Sequence, residues 1–381
     1  MENRKNHQMK NIGFVLLATV FGFALGYMML ASISDDIGSG SFYAIPLLLI
    51  SLYVCYLLQI FVHELGHLIF GFLTGYSFVS FRVGPFMLFR RNGKLKFSTL
   101  NIPGTGGQCL MDPPAYEEGN YPFLLYNLGG VLLNLGVAIG SFLLMNEAYS
   151  FFINAFLVSF ALTGILAAVT NTYPVKVSGI PTDGHNILSI YKEDTIKRAF
   201  WLQLESNALL SNGAEPRELP VGDFQVETSS QLTNPLITSI QLFKYSHYLD
   251  LGNLEKAEDA LETLVPYLQE LIPIYRNETK LQLIYLELIG ENNHDQINQL
   301  FDDSLAQHLR ITPNWLNHQR VFMAYEWFHN RNKEKAMKHY LRLQELAPRH
   351  PNTGEAKMEL RLAEYLKEQM LLPPNEMPTS S

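Results

Sequence analysis

The chain has 381 residues, room for two domains, and a formal net charge of −8 that comes essentially from its later part. That acidic balance argues against nucleic acid as a partner. Its two cysteines, Cys55 and Cys109, form neither a disulfide framework nor a zinc ribbon, so any metal chemistry must rest on His and acid ligands.

Four apolar stretches, roughly 11–32, 41–75, 121–145 and 151–173, reach the roughly 20 residues that a bilayer-crossing helix needs. The first is too long for the apolar core of a signal peptide and is read as retained. Arg4, Lys5 and Lys10 precede it, Arg82, Arg90, Arg91, Lys94 and Lys96 follow the second stretch, and Lys176 follows the fourth. The loops 33–40 and 146–150 carry no Lys or Arg. The positive-inside rule therefore predicts a multi-pass protein of the cell membrane with both termini cytoplasmic.

Inside the second stretch stands His63-Glu64-Leu65-Gly66-His67, and no other charged residue or histidine interrupts the run. Residues four apart share a helix face, so both imidazoles can reach one Zn2+ while Glu64 is placed as a general base for water. An ionisable group at membrane depth is expensive, and function is its default reading.

Residues 78–100 contain the turn signal Arg91-Asn92-Gly93-Lys94 between apolar stretches and predict a β-hairpin at the cytoplasmic mouth of the membrane domain. The run Ile102-Pro103-Gly104-Thr105-Gly106-Gly107 lacks the Lys-Ser/Thr of a phosphate loop and reads as a flexible loop. In the third stretch, Gly130 and Asn134 offer close helix approach and an amide that can hydrogen-bond across helices. At the end of the fourth, Asn171 and then Pro174 precede Thr182-Asp183-Gly184-His185. A catalytic zinc takes three protein ligands and leaves one position open, so a third ligand must join the two histidines, with Asp183 the leading candidate and His185 its rival.

Taken in order, these motifs resemble the site-2 protease family of intramembrane zinc metalloproteases. The resemblance covers roughly residues 41–190: the His-Glu-x-x-His motif, the Gly-x-x-x-Asn of Gly130 and Asn134, and an Asn-x-x-Pro … Asp-Gly element of Asn171, Pro174, Asp183 and Gly184. It implies that His63, His67 and Asp183 hold Zn2+ and that Glu64 is catalytic, with a transmembrane protein or peptide as substrate. It also implies contact with membrane lipid. The chain departs from the family pattern in two places. Residues 175–179 look like an insertion, and His185 stands where many relatives have a second Gly.

From about residue 185 the periodicity is helical with charged faces. Tyr245, Tyr248, Gly252, Ala257 and Leu261, and again Ala324, Trp327, Ala336, Tyr340 and Pro348, fall near tetratricopeptide spacing. Arrays of this kind offer concave surfaces to protein partners. The histidines of this region, from His247 to His350, show no ligand pattern and read as solvated. The expected architecture is an all-α membrane protein of about four transmembrane helices with a small β-hairpin and a cytoplasmic α-helical repeat domain. Its parts are a zinc protease domain over 1–190, a linker helix and loop over 191–234, the repeats over 235–372 and a disordered tail over 373–381. The rival functional expectation is a catalytically inactive scaffold of the same fold that sequesters clients and recruits partners through its repeats.

Overall fold

The computed structural model describes residues 44–371, apart from 92, 104, 178, 179, 223 and 227. The expected first span, 11–32, and the tail expected over 373–381 lie outside the described residues. The described chain is mostly helical with a small β component, and it divides into two units. Among the described residues, one comprises 44–84 and 105–193, the other 85–103 and 194–371.

Three helices of the first unit are long and apolar enough to cross a membrane: α1 (Ala44–Leu73), α2 (Phe123–Leu143) and α3 (Phe151–Thr172). Leu49, Ile50, Tyr53 and Tyr56 of α1 are exposed, as are Ile139 and Leu143 of α2 and Phe152 of α3. An apolar exterior of this kind suits lipid.

Polar and small residues instead lie where the helices meet. A Cβ on Gly66 would come within 2.2 Å of the Gly129 carbonyl oxygen, and one on Gly129 within 2.5 Å of the Gly66 carbonyl oxygen. Helices α1 and α2 therefore touch backbone to backbone, which only glycine at both positions allows. The same logic joins α2 to α3, where a Cβ on Gly164 would meet the Gln59 amide nitrogen at 2.9 Å and the Asn134 carbonyl at 3.1 Å.

The strands are β1 (Ser77–Val83), β2 (Phe86–Arg91), β3 (Lys94–Thr99) and β4 (Gly107–Asp112), and the short pair β5 (Lys176–Val177) and β6 (Ile180–Pro181). In the first unit β1 and β4 pair antiparallel, and β4 packs on α1, where a Cβ on Gly71 would collide with Met111. Strands β5 and β6 pair antiparallel, with Lys176 opposite Pro181 and Val177 opposite Ile180. This ribbon returns the chain to α4 (Asp183–Lys192), capped by Thr182, whose hydroxyl accepts from the His185 N–H and donates to the Tyr173 carbonyl.

In the second unit the predicted β2–β3 hairpin forms in the register Arg91↔Lys94 to Phe86↔Thr99, with Gly93 at φ +73° in its turn. Helical pairs follow α5 (Asp194–Asn212): α6 (Pro235–Asp250) with α7 (Leu254–Glu262), and α8 (Pro273–Ile289) with α9 (His294–Leu300). Then come α10 (Asp303–Ile311), α11 (Leu316–Ala324), α12 (Lys333–Leu346) and α13 (Thr353–Leu371). The repeat-like positions Ala257, Leu261, Ala324, Ala336 and Tyr340 join one buried apolar cluster. The stretch expected as a linker is itself packed, since it buries Leu219, Val221, Phe224 and Leu232. The hairpin is anchored to this unit. Arg91 donates to the Pro348 carbonyl, Ser98 to the Arg349 carbonyl, and the Trp315 indole to the Asn101 carbonyl.

The glycine contact between α1 and α2 can be tested against an open glycine on the same helix. Gly129→Ala should destabilise the detergent-solubilised protein by about 1–3 kcal/mol, because the methyl group has no room. Gly136 meets nothing within 4 Å, so Gly136→Ala should be neutral or stabilise by up to about 1 kcal/mol. Thermal unfolding of both variants reads the difference.

Candidate metal centre

His63 and His67 sit one turn apart on α1, and α4 brings Asp183 to them within the first unit. The Nε2 atoms of the two histidines lie 3.2 Å apart, and the Asp183 Oδ2 is 3.0 Å from that of His63 and 3.6 Å from that of His67. A tetrahedral zinc with bonds of about 2.0–2.1 Å holds its ligand atoms roughly 3.3 Å apart. The three atoms already have that spacing.

The protonation pattern points the same way. Asn134 donates its amide to the Gln59 carbonyl and side-chain oxygen, at 3.1 and 2.7 Å, so its own Oδ1 faces His63 Nδ1 at 2.8 Å as an acceptor. His63 must donate there. His67 Nδ1 lies 2.7 Å from the Tyr126 carbonyl, which can only accept. Both imidazoles therefore turn an Nε2 lone pair inward when neutral, the orientation that ligand histidines acquire from their outer partners. The inward Asp183 Oδ2 is buried without a hydrogen-bond partner. A protonated His63 would account for its 3.0 Å contact with Asp183, yet His67 would still point a lone pair at two neighbours. One cation among the three satisfies all of them.

Burial alone would raise the Asp183 carboxyl; the imidazoles of His67 and His63 outweigh it and hold it below the usual carboxylate range. Gly184 explains why an Asp-Gly pair stands here, since a Cβ would lie 1.8 Å from the Thr172 carbonyl where α4 meets the end of α3. His185, the rival ligand, lies outside this group of three, and its Nδ1 is 3.4 Å from the Ser189 hydroxyl.

The other residues singled out in the sequence have distinct places. Gly130 is the floor under His63, because a Cβ there would fall 2.4 Å from the imidazole. Asn134 is fully buried and orients His63. Asn171 donates to the Ala167 carbonyl of its own helix, and Pro174 lies just past the end of that helix. Glu64 is buried, and its carboxylate lies against Gly107 of β4 so closely that a Cβ there would be 2.5 Å from Oε1. The glycine run read as a flexible loop therefore ends in a close-approach element beside the candidate base.

Several contributors escaped sequence reasoning. Gln59, buried in α1, donates to the Phe160 carbonyl of α3 and fixes Asn134. Arg82, counted among the cations at the membrane mouth, is instead buried. It donates to the carbonyls of Gly84 and Gly107 and to the Thr105 hydroxyl. Burial lowers its pKa, and the nearby Glu64 charge opposes that shift. Its spacing from the His-Glu-x-x-His motif gave no hint of either role.

The solvated reading of the later histidines fails for two of them. His308 and His318 are buried in the second unit, with their Nε2 atoms 2.8 and 2.7 Å from Glu278 Oε1, while Asn317 donates to Oε2 at 2.7 Å. These separations are those of direct hydrogen bonds, shorter than two ligands of one zinc would keep. The cluster is a buried polar network. Glu278 is held well below the usual glutamate range because the two imidazoles outweigh the burial that would raise it.

Comparison with protein-family models, curated proteins and solved structures finds no match for this chain.

Three variants test the metal centre through metal content of the purified protein. Asp183→Ala should lose metal, His185→Ala should retain it, and Asn134→Ala should weaken affinity by about 10–100-fold by releasing His63. For the second cluster, Glu278→Gln should destabilise the helical unit by about 3–5 kcal/mol near neutral pH. A lowered carboxyl pKa stabilises the fold above the unfolded value of about 4.3 and loses that contribution as pH falls through the folded value. The gap between wild type and variant should therefore shrink in acid, measured by denaturant titration with Trp315 fluorescence as the reporter.

Proposed function

We propose that the protein is an intramembrane zinc metalloendopeptidase that hydrolyses a peptide bond in or near a transmembrane segment of a client protein. The observation that carries this reading is the inward set of His63 Nε2, His67 Nε2 and Asp183 Oδ2, spaced for one tetrahedral ion with Glu64 in the next position of the same helix. Zinc, when bound, supplies Lewis acidity that lowers the pKa of water from about 15.7 towards 7 and polarises a peptide carbonyl. His63, His67 and Asp183 hold it, while Asn134 and the Tyr126 carbonyl keep the imidazole lone pairs directed inward.

Glu64 takes the proton of the attacking water and delivers it to the leaving amine. Its burial against Gly107 keeps bulk water away from that transfer. A helical client must lose internal hydrogen bonds before its backbone can be cleaved, and an extended segment can regain some by pairing with a free strand edge. Strand β4 pairs only with β1 among the described strands and passes directly by Glu64, which makes it the candidate edge. The charge bias of the loops supports a cell-membrane protein with cytoplasmic termini, and the helical pairs of the second unit support a surface for a protein partner.

Glu64→Gln decides between protease and scaffold. The variant should keep its metal and its fold and lose roughly 100- to 10,000-fold in cleavage rate of a reconstituted transmembrane client. Equal cleavage by wild type and variant would remove Glu64 from the chemistry, and no cleavage by metal-loaded wild type would favour the scaffold.

A further inference from the structure

The β2–β3 hairpin has two unlike faces. Phe86, Leu88, Leu95 and Phe97 lie on one face by register, with Arg90 opposite Leu95 and Thr99 opposite Phe86 at its ends, and the four apolar side chains are exposed at 59, 38, 59 and 67% of their surface, with the rings of Phe86 and Phe97 stacked at 6.0 Å. Four exposed large apolar side chains side by side form a patch that water does not explain. The other strand face carries Arg91, Lys94 and Lys96 beside buried Phe89.

Those three cations open onto a cavity of about 630 Å³ completed by Phe97, Pro348 and Arg349. No carboxylate lines it, and among the described residues none of the four cations has an ion-pair partner. Elsewhere in this acidic chain basic groups are commonly paired: Lys197 with Asp194, Arg217 with Glu215 and Asp250, Arg320 with Glu359, Arg342 with Glu345. The cavity is therefore a concentrated positive site in a protein whose net charge is negative. The hydrogen bonds of Arg91 and Ser98 to the 348–349 backbone hold its two walls together.

We propose that this cavity binds the phosphate headgroup of an anionic phospholipid, with the apolar face of the hairpin seated in the acyl boundary of the bilayer. A phosphate monoanion or diester matches four unpaired cations. The aromatic and aliphatic patch on the opposite face, joined to the cavity through Phe97, which belongs to that face and also lines the cavity, favours a phosphate that arrives with hydrocarbon attached over a free ion. Only the stretch from residue 74 to 85 separates the hairpin from α1, a helix long and apolar enough to cross a membrane, and that short connection limits how far the hairpin can stand from a headgroup layer. This site is independent of the zinc centre, and its success or failure leaves the protease reading untouched.

The test uses the full chain in nanodiscs of phosphatidylcholine with or without phosphatidylglycerol, followed by native mass spectrometry of retained lipid. Wild type should retain phosphatidylglycerol in preference to phosphatidylcholine. The Lys94→Ala, Lys96→Ala, Arg349→Ala triple variant should lose that preference by roughly tenfold or more, since each basic group near an anionic surface contributes on the order of a factor of several. A control removing Lys335, Lys338 and Arg342 from α12 should behave as wild type. A nitroxide on Leu95→Cys should be relaxed by lipid-soluble oxygen more than by a water-soluble nickel chelate. Equal lipid retention by the triple variant and wild type would overturn the proposal. So would an aqueous environment at position 95, or displacement of the lipid by millimolar inorganic phosphate.

Discussion

The backbone contact of Gly66 with Gly129 is the constraint on which the first unit depends. Gly66 lies between Glu64 and His67 in the His-Glu-x-x-His motif, so the point where the two helices touch is also the point where the candidate ligands leave α1. At that separation the His63 ring rests on Gly130 and its Nδ1 reaches Asn134, while one turn on His67 reaches the Tyr126 carbonyl. A larger residue at 129 would displace α2 from both imidazoles at once. Helix packing in lipid lacks a hydrophobic drive between helices, so small-residue contact and interhelical hydrogen bonds carry it. Here those bonds are the ones that orient the histidines.

A second consequence concerns the polar groups themselves. Gln59, Asn134, His63 and His67 would each be costly among apolar helices without partners. They form one chain from the Phe160 carbonyl through Gln59 and Asn134 to His63, so each satisfies its neighbour and the end of the chain turns a lone pair inward. The Thr182 cap and the Gly184–Thr172 contact then deliver Asp183 to that end from the far side. The bonds that satisfy these polar groups are the same ones that turn the candidate metal-binding atoms inward.

Much of this was legible in the residues because helical spacing is rigid: His63 and His67 must share a face, and Gly130 and Asn134 must share one on α2. The ribbon at 175–181 and the exclusion of His185 were not legible, because they depend on where a short loop is pinned by the Tyr173, Val175 and Thr182 backbone. Backbone carbonyls such as those of Tyr126 and Phe160 carry no residue signature at all. Arg82 was misplaced because a cation after an apolar run reads as a surface charge until its acceptors are known. His308 and His318 were misread for a similar reason: the acid that buries them, Glu278, is distant in sequence and sits in an ordinary amphipathic helix.

We propose that one zinc ion lies among two imidazoles and one carboxylate, those of His63, His67 and Asp183. X-ray absorption at the zinc edge of the full-length protein tests it most directly. The spectrum should show one zinc per chain with a first shell of nitrogen and oxygen at about 2.0–2.1 Å and the outer-shell scattering of two imidazoles. A first shell containing sulfur at about 2.3 Å, or a purified, folded protein that takes up no zinc, would contradict it.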